Sequence, residues 1–151
     1  MNKKIKTLIL LTFITLPLIS EPLSVTAASE PEVIESPLGE FNPEDLSQTA
    51  PLEEEEIPED VIKIKATPSG FEPSEFTVKA GEVVSITVTG VDATHVFKFE
   101  SPELSNVAIG VANGETRGIS FIAPEEPGDY VFYCDVPGHR ARGEQGVMHV
   151  E

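Results

Sequence analysis

From residue 61 onward the chain alternates between apolar and polar positions. Val61-Ile62-Lys63-Ile64-Lys65 sets apolar against charged side chains at period two, the pattern of a half-buried strand. Thr67-Pro68-Ser69-Gly70 breaks that run, residues 75–79 alternate again, and Ala80-Gly81-Glu82 signals a turn. Residues 83–89 are rich in β-branched side chains, with Val84, Ile86 and Val88 predicted to face a core and Ser85, Thr87 and Thr89 to face outward. In His95-Val96-Phe97-Lys98-Phe99 the odd positions share one face, as do Tyr130, Phe132 and Cys134 in the run 130–134. Residues 116–122 form a further strand, and 147–150 a short final one, read as an edge at which Glu151 discourages pairing with other chains. Residues 100–113 admit either a short helical turn or an irregular crossover. With Gly and Pro turns between strands and no convincing amphipathic helix, the pattern predicts an all-β, antiparallel sandwich or barrel.

The N-terminus follows a different rule. Lys3, Lys4 and Lys6 precede an apolar stretch over residues 8–19, and the small residues around Thr26-Ala27-Ala28 suit a signal peptidase. The apolar run falls short of the roughly 20 residues that span a bilayer, so residues 1–28 read as a secretory signal peptide. The alternative is an uncleaved anchor, through which any membrane contact would be made. No cysteine lies near the cut, which excludes a lipid-anchored start. Export to the periplasm or the extracellular face of the envelope is the expectation.

Residues 29–60 contain many glutamates and prolines and no lysine or arginine, with Glu53-Glu54-Glu55-Glu56 as a self-repelling run. Such one-sided charge and low hydrophobicity predict a disordered acidic linker, with a lure for basic partners or cations as the alternative reading. Residues 61–151 then make one small domain. A net charge of −16 argues against nucleic acid, which needs clustered positive charge.

The candidate chemistry gathers at Cys134, the single cysteine of the chain. It cannot close a disulfide within the chain, and in Tyr133-Cys134-Asp135-Val136-Pro137-Gly138-His139 a histidine follows five residues later. With His95 on an earlier strand, one thiolate and two imidazoles make a metal site. The segments from Gly81 to Phe97 and from Pro127 through Cys134 and His139 to Gly143 resemble the cupredoxins, the small blue-copper proteins of the plastocyanin and azurin type. That resemblance implies a cupredoxin-like Greek-key β-sandwich with one copper ion, held equatorially by His95, Cys134 and His139. A soft thiolate with two imidazoles suits both Cu(I) and Cu(II).

The chain departs from the family pattern at Glu144, which stands where the family usually has an axial methionine. Glu144 is read as the axial ligand; the alternatives are a weak backbone carbonyl such as that of Thr94, or Met148, which reads better as core. An axial carboxylate would favour Cu(II), lower the potential and open the way to a green or red site. Zinc is the competing metal, since Cys, two His and Glu also satisfy a four-coordinate zinc site. His149, Arg140 and Arg142 read as surface residues, and Pro137-Gly138 as the turn that aims His139.

The resemblance therefore implies an exported electron carrier and not an enzyme, a monomer that passes single electrons between redox protein partners and meets them around Val136 and Pro137. Two alternatives are a copper-handling or buffering module, against which the scarcity of methionine counts, and a small copper protein whose open site reacts with a small ligand.

Overall fold

The computed structural model describes residues 33–151. The expected signal peptide, residues 1–28, lies outside the described residues. Among those described there is no α-helix, only short 3-10 turns, and no helix long and apolar enough to cross a membrane. Eleven strands form: β1 (Ile34–Ser36), β2 (Gly39–Phe41), β3 (Ile62–Thr67), β4 (Gly70–Glu72), β5 (Glu75–Val78), β6 (Val83–Gly90), β7 (His95–Phe99), β8 (Ala108–Val111), β9 (Thr116–Ile122), β10 (Gly128–Cys134) and β11 (Gln145–Val150).

Two sheets make the sandwich, one ordered β5-β11-β10-β7-β8 and the other β4-β3-β6-β9. The chain passes from sheet to sheet between β6 and β7 and again between β8 and β9 and β9 and β10, so that β6 pairs with β9 and β7 with β10 in Greek-key fashion. The inner faces are those the alternation predicts. Ile64, Val84, Ile86 and Val88 from one sheet meet Phe97, Phe99, Phe132 and Met148 from the other, all buried. At the centre Phe97 and Phe132 stack at 4.9 Å, with Phe71 edge-on to both.

The structure corrects the sequence reading in four places. The sheets are mixed: β3 runs parallel to β6 and β5 parallel to β11, because β4 and β5 carry the chain across between sheets before it returns in the same direction. The final strand is not an edge, since β5 covers it through the pairs from Val147↔Glu75 to Val150↔Val78. Ser85 and Thr87, expected to face water, are buried.

The fourth difference explains the third. The described part of the expected linker, residues 33–60, lies against the domain instead of leaving it. β1 and β2 form a hairpin over the outer face of the β6–β9 pair, where Ser36 Oγ lies 2.8 Å from Ser120 Oγ and Ser120 Oγ 2.7 Å from Ser85 Oγ. The Thr49 and Leu52 N–H groups donate to the carbonyls of Gly118 and Thr116 (both 2.8 Å), and Gly110 N–H donates to Gln48 Oε1 (2.7 Å). The arm thus runs along the open edges of β9 and β8, supplying partners for edge groups that would otherwise face solvent. Half-buried Leu38, Leu46 and Leu52 anchor it, while Glu53 to Glu56 stay exposed.

Candidate metal centre

One end of the sandwich carries the site, and local backbone rules build it. Cys134 ends β10 opposite Phe97 of β7, and the Val96 N–H donates to its sulfur at 3.4 Å. The chain then turns at Val136-Pro137-Gly138-His139. Proline supplies the fixed φ of the second turn position, Gly138 the positive φ (85°) of the third, and His139 N–H donates to the Val136 carbonyl (3.0 Å), a type II turn. A 3-10 turn over Arg140–Arg142 follows, and Gly143 ends it in the left-handed region (φ 104°). That reversal returns Glu144 to the site, where its carbonyl accepts the Cys134 N–H (2.9 Å) and closes the loop. His95 arrives separately, as the first residue of β7.

The structure brings His95, Cys134, His139 and Glu144 together: one donor atom from each lies within 4.8 Å of the others, and all four residues are buried. Cys134 Sγ is 3.6 Å from His139 Nδ1 and 4.0 Å from His95 Nδ1. Bonds of about 2.0–2.3 Å to a shared ion set donors roughly 3.3–4 Å apart, so these separations suit a metal without rearrangement. Glu144 Oε2 sits closer, 2.9 Å from His95 Nδ1 and 2.8 Å from His139 Nδ1, and needs to withdraw by some tenths of an ångström.

The donor chemistry supports a cation more strongly than distance alone. His95 meets a carboxylate at each ring nitrogen: Nε2 is 3.2 Å from Asp92 Oδ1, and Nδ1 faces Glu144. A neutral imidazole has one N–H for those two acceptors. If Nε2–H donates to Asp92, the Nδ1 lone pair points at a carboxylate oxygen, and a shared cation makes that contact favourable. A carboxylate on the far nitrogen of a metal-bound histidine is the usual way its tautomer and ring orientation are held.

Burial pushes the Cys134 thiol up from its ordinary value, so a metal must displace its proton and binding weakens as pH falls. Burial would also raise Glu144, but hydrogen bonds from His139, Arg142 and His95 outweigh it and hold the carboxyl below its usual range. Met148 is buried in the core on β11, paired with Tyr130 near the opposite end of β10 from Cys134, and His149 is a surface residue with its Nδ1 2.7 Å from Asp129 Oδ1. Val136 packs half-buried against the core and Pro137 is exposed.

Two residues at the site escape a reading of motifs. Asp92 looks like turn punctuation; its position three residues before His95 was the available signal. Arg142 looks like a solvated surface charge, and more than half of its side chain is exposed, yet its Nη2 donates to Glu144 Oε1 at 3.1 Å.

A two-sheet Greek-key sandwich with a buried N, S and O donor set at one end defines a class of small metal-binding β-domains. The chain belongs to the cupredoxin-like domain family, whose sequence pattern it matches over residues 46–145. That match begins inside the docked arm. Among solved structures the chain is similar to the dithionite-reduced auracyanin of the photosynthetic bacterium Roseiflexus castenholzii, at 24% identity and a TM-score of 0.53 over 61% of this chain and 97% of that one. It is also similar to auracyanin B, at 17% identity and a TM-score of 0.52 over 71% of this chain and 98% of that one. Auracyanin A, a "blue" copper protein of Chloroflexus aurantiacus, matches at 23% identity and a TM-score of 0.50 over 60% of this chain and 98% of that one. These likenesses are of fold.

Proposed function

We propose that the protein is an exported mononuclear copper protein that carries single electrons between redox protein partners, in which His95, Cys134, His139 and Glu144 would hold the ion. The observation that carries this reading is the convergence of the four donor atoms within 4.8 Å, buried, on a cupredoxin-like frame. Copper supplies a one-electron couple there. One thiolate and two imidazoles favour copper over zinc, because the sulfur serves the reduced ion and the nitrogens the oxidised one.

The chain's own residues supply rigidity and isolation. His95 is held by Asp92 and β7, Cys134 by the Val96 N–H and β10, and Glu144 by the closed loop, so little has to move when the charge at the site changes. Burial of all four donors leaves no open face for a substrate, which favours a carrier over an enzyme and over a site open to small ligands. The His139 side chain, 11% exposed, is the donor nearest to water and the natural exit for an electron to a docked partner. The lysine-rich start and apolar run of residues 8–19 support export, and the blue copper protein among the structural relatives supports the metal.

The test is copper loading followed by absorption and electron paramagnetic resonance spectroscopy. Wild type should bind one Cu(II) with an intense sulfur-to-copper band, and Cys134→Ser should lose that band while remaining folded. A folded wild-type protein that takes up no copper, or binds it without the band, overturns the assignment.

A further inference from the structure

Glu144 is a fully buried carboxylate whose two oxygens have different partners. Oε2 faces both histidines, and Oε1 accepts from the Arg142 guanidinium. Arg142 is otherwise a surface residue, its side chain 55% exposed, and it reaches inward because Gly143 reverses the chain between it and Glu144. A buried anion without a compensating partner is costly, and among the described residues Arg142 is the one permanent cation in contact with it.

We propose that Arg142 is a positioning residue that makes Glu144 a one-oxygen donor and sets the reduction potential of the site. The inference rests on the copper reading above. With Oε1 held by the guanidinium, only Oε2 is free to approach a metal; without Arg142 both oxygens can turn inward, and a two-oxygen carboxylate favours the harder, oxidised ion. Charge acts in the same direction. One thiolate and one carboxylate balance a divalent ion but leave a surplus negative charge around a monovalent one, and Arg142 offsets that surplus. Both effects make the arginine favour the reduced state.

The experiment compares the copper-loaded full chain with Arg142→Gln, Arg142→Lys, Glu144→Met and the double variant Arg142→Gln/Glu144→Met, measuring potential, visible spectrum and paramagnetic resonance. Arg142→Gln should shift the balance toward Cu(II) by about tenfold, about 59 mV for a one-electron couple, and alter the resonance parameters. Arg142→Lys, which keeps the charge but not the planar fork, should recover part of the potential and less of the spectrum. In the Glu144→Met background the Arg142→Gln change should leave the spectrum unmoved and shift the potential far less. The proposal is overturned if Arg142→Gln leaves both readouts unchanged, or shifts them equally in the two backgrounds, which would make Arg142 a distant charge only. Loss of the sulfur-to-copper band in wild type is a separate result that removes the copper reading itself.

Discussion

Glu144 concentrates the unusual chemistry of this chain in one side chain: a carboxylate, buried and held ionised, aimed between two imidazoles. A charged oxygen donor favours the oxidised metal, and a thioether does not. Glu144→Met should therefore raise the reduction potential, shifting the balance toward Cu(I) by at least about tenfold (about 59 mV for one electron), and move the visible spectrum. Voltammetry and absorption on the copper-loaded variant measure both, and an unchanged potential argues against ligation by Glu144. The convergence of His95, Cys134, His139 and Glu144 was legible in the sequence because three of them fall within the eleven residues 134–144, a spacing that a turn and a strand end can close. Asp92 and Arg142 were not, since their parts depend on where a side chain tip points. An aspartate in a turn and an arginine in an exposed 3-10 turn have ordinary explanations in a sequence; only the 3.2 Å and 3.1 Å contacts at the site distinguish them.

At the scale of the element, the ligand loop depends on one backbone conformation. Gly143 adopts φ 104° and ψ 4°, and a Cβ built there would meet nothing nearer than the Ser69 carbonyl at 3.6 Å, an ordinary contact. The cost of Gly143→Ala is therefore conformational and not steric, about 1–2 kcal/mol for a left-handed L residue. The variant should lose about that much unfolding free energy in denaturant titrations. It should also broaden the copper resonance, because Glu144 and the Cys134–Glu144 closure follow directly from that reversal. Gly110→Ala is the matching control: its added Cβ meets nothing within 4 Å, its φ is not positive, and stability should stay within about 0.5 kcal/mol of wild type. The strands themselves were legible, since period-two alternation reports which face is buried. It does not report which strand lies alongside. The parallel partners of β3 and β11 therefore had to come from the structure, as did β4, whose three residues sit within a turn signal at Gly70.

The whole molecule is a sandwich with four edge strands, two of which, β8 and β9, are finished by a segment that composition alone marks as unstructured. Low hydrophobicity is a sound argument against a stretch folding by itself, but it fails where an existing surface offers unpaired backbone groups. Here Gln48, Thr49 and Leu52 take those groups at Gly110, Gly118 and Thr116, and Gly118 is small where the arm passes, since a Cβ there would sit 2.6 Å from Leu38 Cδ1. The glutamates face water, so the arm's charge and its docking do not conflict. Removing residues 33–52 should leave the copper spectrum intact, because no donor or partner of the site lies in the arm. Stability should fall by about 2–3 kcal/mol, the scale of exposing three half-buried leucines at about 1 kcal/mol each. The bared edges of β8 and β9 should then pair with those of other copies, so the truncated protein should self-associate with rising concentration in sedimentation experiments more than the full chain does. A truncated protein as stable and as monomeric as the full chain would mean that residues 33–52 are a spacer after all.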